Sequence, residues 1–252
     1  MISYHDFKPH SVLKDFIKSY WRFTINTSST QPFDILPDGY FDLLVVINGD
    51  SISRVSLTGI WSKSVLVEYH ENIEVFGIRF KPLAIGNILK LKVNDLLDSS
   101  TSIELKDIGL NEQMLLESLK LPPQLLVNRL NAHFIAILHS NKVDGRIKQL
   151  FDIVESEFGN ESIASISNQI GLSARQIQRN VKSLVGIGLK EYSKIVRLRK
   201  TLRKVKHDKN DYYPYFDQSH FIREVKEHTG MTPQKMDLNN NVRFIQYYSF
   251  ND

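Results

Sequence analysis

The sequence predicts an α+β chain. An N-terminal β-rich part, a barrel or sandwich with trailing helices, precedes an all-α part that carries a helix-turn-helix. Three observations predict it. Short β-branched and aromatic runs recur at roughly ten-residue spacing up to residue 81. From Pro82 the apolar residues change to helical period. Residues 162–186, SIASISNQIGLSARQIQRNVKSLVG, read as two short helices about a tight turn.

The strands come first. Residues 20–25 alternate and are β-branched or aromatic, and 41–47 form an apolar run closed by the turn signal Asn48-Gly49-Asp50. Residues 51–58 alternate again through Ile52, Val55 and Leu57, and 65–69 and 73–80 complete the set. Short links favour antiparallel pairing. Pro37-Asp38-Gly39 reads as a turn, with proline presetting φ and glycine at the positive-φ position. A loop at a barrel mouth is also where a ligand meets it.

Helical period begins with Leu83, Ile85, Ile88, Leu89 and Leu91. Residues 93–97 and 111–119 are expected as further short helices. Pro122-Pro123 starts a longer one through Leu126, Leu130, Phe134, Ile137 and Leu138, proline being compatible with a first turn. It joins two halves of the protein or forms a dimer contact; its sequence suits both. The polar, glycine-containing stretch 140–145 is the expected boundary. The expected divisions are a sensor or dimerisation domain at 1–139, a DNA-binding domain at 144–236 and a tail at 237–252.

In the second part, Ile147, Leu150, Phe151, Val154 and Phe158 make an amphipathic helix stopped at Gly159-Asn160. Ile163, Ile166 and Ile170 share one face of the next, and Gly171 ends it in the left-handed conformation. Ser173 and Gln176 fit a capping box for the second helix. Ile177, Val181 and Leu184 form its buried face, opposite Arg175, Gln176, Gln178, Arg179 and Lys182. Arg, Gln and Lys are the side chains that read base edges and phosphates in a major groove. Polar helix fronts are also commonly just solvated, so the surroundings have to decide.

A long helix follows from Leu189 to about Lys206, roughly 27 Å at 1.5 Å per residue. Tyr192, Ile195, Val196, Leu202 and Val205 are its inner stripe, and Lys194, Arg197, Arg199, Lys200, Arg203 and Lys204 surround it. Asp217 is the expected N-cap of another helix, with Phe221 and Val225 inward and Gln218, Ser219, Arg223 and Lys226 outward. Thr232-Pro233 opens the next.

Composition narrows the function. The 252 residues are 42% hydrophobic, which suits a packed core and argues against wholesale disorder. Absence of cysteine excludes disulfides, thiolate zinc sites and a cysteine nucleophile, and suits a reducing cytoplasm. The start MISYHDFKPH lacks the pattern of a signal peptide, and no stretch has the apolar length to span a bilayer. Net charge is +4, unevenly placed. Residues 171–230 hold 14 Lys and Arg against 6 Asp and Glu, while the remainder holds 18 against 22. That asymmetry points to a polyanion partner for the C-terminal part.

Catalytic signatures are missing: there is no HExxH, GxSxG, Walker-type loop or GxGxxG. His70 with Glu68 or Glu71 is the one approach to a metal pair, and a surface histidine near a turn is the plainer reading. Asp217, Ser219 and His220 lie within one helical turn and cannot pose as a triad. No cofactor, no metal and no enzyme activity are expected.

The spaced motifs resemble the DNA-binding domain of the AraC/XylS family of bacterial transcription regulators. Gly171-Leu172-Ser173, Ile177-Gln178-Arg179, Lys182 and Gly186 carry the first motif. Tyr192 and Arg197 fall at the family's linking-helix tyrosine and arginine. Tyr215, Asp217-Gln218-Ser219, Phe221, Arg223, Lys226, Gly230 and Thr232-Pro233 carry the second. In the N-terminal part, Ile35 to Gly39 with Asp42-Leu43, and Gly77 to Pro82, are similar to a sensor domain found before some members, often a cupin-like barrel. The stretch Val242-Arg243-Phe244-Ile245-Gln246 is similar to such proteins' tails. The chain departs in having about six fewer residues between Arg197 and Tyr215, where the family places most of a helix. Pro214 replaces a glycine, and Gly188-Leu189 stands for Ser-Pro.

The resemblance implies a cytoplasmic regulator that binds double-stranded DNA through Ser173, Arg175, Gln176, Gln178, Arg179 and Lys182, and through Gln218, Ser219 and Arg223. Its further implied partners are a small-molecule effector in the N-terminal domain and a second copy of the chain as a homodimer. The linking-helix bases would meet phosphates. The rival expectation is a ligand-binding or protein-interaction module whose shortened helical domain no longer reads DNA.

Overall fold

The computed structural model describes residues 2–27, 29–69, 72–93, 95–139, 141, 143–236, 238 and 244. The architecture is α+β, with strands first and helices after. The strands are β1 (Ile2–Phe7), β2 (Ile17–Ile25), β3 (Gln31–Ile35), β4 (Phe41–Asn48), β5 (Ser51–Thr58), β6 (Val65–Tyr69), β7 (Ile73–Phe80) and β8 (Ser100–Ser102). The chain divides into two compact units. One holds Met1–Thr30, Tyr40–Gly59 and Tyr69–Asp144; the other holds Gln31–Gly39, Ile60–Glu68 and Gly145–Asp252.

In the first unit, six strands run in the order β1-β2-β7-β4-β5-β8, and all five pairings are antiparallel. The central strands β4 and β7 are buried on both faces over most of their length, Leu43, Val45 and Val46 and all of residues 75–80 among them, whereas the outer end of β5 is not. Asp42 and Arg79 face each other across β4 and β7. The guanidinium grips the carboxylate at two points, Nε 3.0 Å from Oδ1 and Nη2 3.0 Å from Oδ2. Trp21 Nε1 donates to the same carboxylate at 3.1 Å. The Asp42-Leu43 and Gly77-to-Pro82 motifs therefore meet as one buried cross-strand cluster. Gly77 is required there: a Cβ would stand 2.0 Å from the Trp21 ring.

Helices follow the sheet. α1 (Pro82–Ala84) runs directly into a π-helical turn, Ile85–Leu89. Among the described residues 93 and 95–97 the expected helix is not formed; turns closed by Leu96 N–H to Val93 O (3.0 Å) and Ser99 N–H to Leu96 O (3.2 Å) replace it. Five residues with a single turn of pattern cannot offset the cost of helix nucleation. α2 (Glu112–Leu119) starts at the Asn111 cap. α3 (Pro123–His139) buries Leu126, Leu130 and Phe134, whose ring meets Phe80 edge-on at 5.8 Å.

The second unit pairs β3 with β6, two strands that lie apart in sequence. Its helices are α4 (Gly145–Ser156), α5 (Ile163–Ile170), α6 (Ala174–Val185), α7 (Leu189–His207), α8 (Gln218–Thr229) and α9 (Pro233–Met236). One half of the α7 stripe, Tyr192, Ile195 and Val196, is buried, and the Tyr192 ring meets Phe151 of α4 edge-on at 5.7 Å. The other half, Leu198, Leu202 and Val205, forms a cluster with Tyr215, Phe221, Val225 and Met236. Leu36, from the segment after β3, is fully buried in that cluster. Among the described residues no helix is long and apolar enough to cross a membrane, and no group of three His, Cys, Asp or Glu is placed to hold a metal. His70, Glu71 and most of the tail motif lie outside the described residues.

Candidate nucleic-acid interface

The turn between α5 and α6 is built from caps. Ser162 Oγ accepts the Ser165 N–H at 3.1 Å, and Gly171 ends α5 at φ +66°, a region that penalises any Cβ. Ser173 then caps α6 reciprocally: its Oγ accepts the Gln176 N–H at 3.3 Å, and Gln176 Oε1 accepts the Ser173 N–H at 2.9 Å. Ile177, Val181 and Val185 bury the back of α6. Val185, not Leu184, completes that face; Leu184 is half-buried. The buried positions are therefore i, i+4 and i+8.

The front of α6 is exposed at Arg175, Gln176, Gln178, Arg179 and Lys182. These five positions, with Ser173, divide by what they hold. Ser173 and Gln176 are engaged in the cap. Gln178 Oε1 accepts the Leu189 N–H at 3.3 Å, a bond to the first turn of α7. Arg175, Arg179 and Lys182 have no hydrogen-bond or ion-pair partner among the described residues. They lie at i, i+4 and i+7, so their charges form one stripe.

The α7 cations are otherwise disposed: the expectation that they meet phosphates is corrected at Arg199 and Arg197, whose guanidinium groups are buried in ion pairs, while Lys200 and Lys204 hold contacts within the unit. Arg199 is 2% exposed; Nη2 is 2.6 Å from both Glu155 carboxylate oxygens, and Nη1 is 2.5 Å from the Asp38 carbonyl. Arg197 is paired with Glu224 of α8. Lys200 donates to the Glu155 carbonyl and lies 4.1 Å from the Phe158 ring centre. Lys204 pairs with Asp211 at 3.2 Å. Much of the basic excess of this segment therefore holds the unit together. Asp38, read as a turn, serves this packing through its carbonyl.

α8 has no helix in front of it. Residues 208–217 form turns, including Asp211 N–H to Asp208 O at 3.0 Å. Three other features hold α8. Asp217 Oδ1 caps it through the His220 N–H at 2.7 Å. Tyr215 packs on Phe221, and its hydroxyl donates to Glu224 at 2.8 Å. The last turn is met by the 60–68 segment: Ser64 N–H donates to the His228 carbonyl at 2.7 Å, and Ser64 Oγ to the Thr229 carbonyl at 3.2 Å. These are carbonyls that a helix end leaves without internal partners. Gln218, Ser219 and Arg223 are exposed on the opposite side. A cleft of about 410 Å³ beside them is lined by Val205, Lys209, Gln218, Phe221 and Pro233.

Glu155 and Glu224 are site-supporting residues that the sequence reading missed. Glu224 had a signal: with Phe221, Val225 and His228 it lies on the buried stripe of α8. Glu155 had none, because its partner is 44 residues away.

A family model described as a domain of unknown function (DUF6597) matches residues 5–102. No curated protein matches the chain. Among solved structures, ToxT from Vibrio cholerae O395 is 14% identical, with 85% of this chain and 94% of that chain covered and a TM-score of 0.44. A second ToxT structure, at 1.65 Å, is 13% identical over 93% and 97% with a TM-score of 0.47. Wild-type ToxT from strain SCE256, bound to an unsaturated fatty acid, is 13% identical over 94% of each chain with a TM-score of 0.41.

Proposed function

We propose that the chain is a sequence-specific, DNA-binding transcription regulator of AraC type, acting in the cytoplasm without enzymatic activity. The observation that carries this is the front of α6. A capped helix with a dry back presents Arg175, Arg179 and Lys182 as one stripe with no partner among the described residues. Such a helix suits a major groove, with Arg175, Arg179 and the Gln178 amide toward bases and Lys182 toward a phosphate. Gln218, Ser219 and Arg223 of α8 would read the next groove face, about 34 Å along the duplex. Residues 144–236 are the DNA-binding part in this reading. Residues 1–139 sense a small molecule or a partner, or mediate homodimerisation.

Selection of bound sequences from a random duplex pool tests the reading, followed by salt titration on selected and random duplexes. Enriched sites with a steep salt dependence support it. The missing helix before α8 favours a second reading, an interaction module that no longer reads DNA. A flat, weak response to both duplexes would favour that module.

A further inference from the structure

The residue before the α8 cap is unused by the fold. Asp217 is the N-cap, so Phe216 stands at N′ and Phe221 at N4, the two positions that ordinarily pack as a hydrophobic staple. Here Tyr215 occupies that place. Its ring lies 5.2 Å from Phe221 and 5.3 Å from His220, and it is 6% exposed. Phe216 is left 93% exposed, far more than any other large apolar side chain among the described residues. It has no ring contact among them. Gln218 and Ser219 follow it on the same exposed end of α8, with Arg223 and Lys226 further along.

We infer that Phe216 is a base-contacting residue that packs against the 5-methyl group of a thymine. The inference rests on the proposed DNA reading, with α8 engaged. A recognition helix enters the major groove by its N-terminal end, where Phe216 lies. The thymine methyl is the apolar feature of that groove, and phenylalanine is among the side chains that contact it. The exposed side chains Gln218, Ser219, Arg223 and Lys226 that follow it on α8 are polar or cationic, which suits a duplex. An apolar protein surface would leave Gln218 and Arg223 without partners.

The test uses the full chain and a duplex selected by the wild-type protein. Each thymine is replaced in turn by deoxyuridine, which removes only the methyl group. At one thymine, in the half of the site remote from the α6 contacts, the replacement is expected to weaken wild-type binding about fourfold, the effect of one methyl-sized group. Phe216→Ala is expected to bind the thymine and uracil duplexes alike, and Phe216→Leu to keep part of the difference. Phe216→Ala removes no buried contact, so its melting temperature serves as the folding control. If the wild-type protein binds and Phe216→Ala shows the same uracil profile, the inference is overturned and the ring is left to a protein contact. If the wild-type protein selects no sequence at all, the DNA reading itself fails and the inference falls with it.

Discussion

Arg197 and Glu224 are joined at two points, Nε 3.2 Å from Oε1 and Nη2 2.9 Å from Oε2, and the pair ties α7 to α8. Tyr215 adds its hydroxyl to the same carboxylate. With no helix in front of α8, this pair and the apolar cluster beneath it set how α8 is held. Both side chains are largely buried, so removing one strands the other. Glu224→Ala should cost about 3 kcal/mol of unfolding free energy. The double change Arg197→Met with Glu224→Leu should be less destabilising than Glu224→Ala alone. Urea unfolding of Arg197→Met, Glu224→Leu and the double gives the coupling. A loss in the double equal to the sum of the two single losses would show that the pair does not act as a unit.

Arg199 and Lys182 should separate structure from phosphate contact. Arg199→Met leaves Glu155 without its buried partner and is expected to cost about 3 kcal/mol of stability. It should leave the slope of log affinity against log salt unchanged, because Arg199 is turned inward. Lys182→Ala should leave stability within about 0.5 kcal/mol and lower that slope by about 1. A slope change in the Arg199 variant would mean that the guanidinium leaves Glu155 for DNA.

Within α6, the residues expected to read bases should differ in kind. Arg179→Ala should cost roughly 1–3 kcal/mol and relax preference at one base pair. Gln178→Ala should show more of its effect in stability, about 1 kcal/mol, because its carbonyl holds the Leu189 N–H. Ser173→Ala should cost about 1 kcal/mol through the lost cap, and Ser173→Asp should restore it. Parallel denaturation and site-preference measurements on the variants decide the assignment. A Gln178 variant with changed base preference and unchanged stability would return it to the direct readers.

The strands read at 20–25, 41–47, 51–58, 65–69 and 73–80, as alternating, β-branched, aromatic or apolar runs, were legible in the sequence, and so were the caps, because both signals are local. β1 and β8 were not read, and the rest of what escaped was non-local. β3 carries Pro32 and few β-branched residues, and it pairs with β6 from thirty or more residues away. The placement of 31–39 and 60–68 with the helical unit depends on Leu36 in an apolar cluster and on Ser64 at the end of α8. No periodicity encodes either. Arg199 is the instructive case. Its phase, with Tyr192, Ile195 and Leu202, already marks it as inner, but a run of basic residues suggests a solvated face. Only the position of Glu155 reverses that reading.

Alkaline stability gives the last prediction. Burial pushes the phenols of Tyr20, Tyr69 and Tyr215 upward from their ordinary value of about 10. At Tyr215 the neighbouring Glu224 carboxylate adds to the rise. The neutral phenol is the form the fold holds: Tyr20 donates to Asn131 Oδ1 at 3.0 Å, and Tyr215 donates to Glu224. An unfolded tyrosine loses its proton near pH 10 while the folded one keeps it, so above that pH the unfolded state binds fewer protons. Stability is therefore full below about pH 10 and falls as pH rises, by about 1.4 kcal/mol per pH unit for each such tyrosine. Tyr20→Phe should be less stable than wild type near neutrality, by about 1 kcal/mol for the lost hydrogen bond. It should also lose stability less steeply above pH 10, by one proton's worth of slope. Urea unfolding across pH 8 to 11 measures both quantities, and an unchanged alkaline slope in this variant would show that the Tyr20 phenol does not drive the loss.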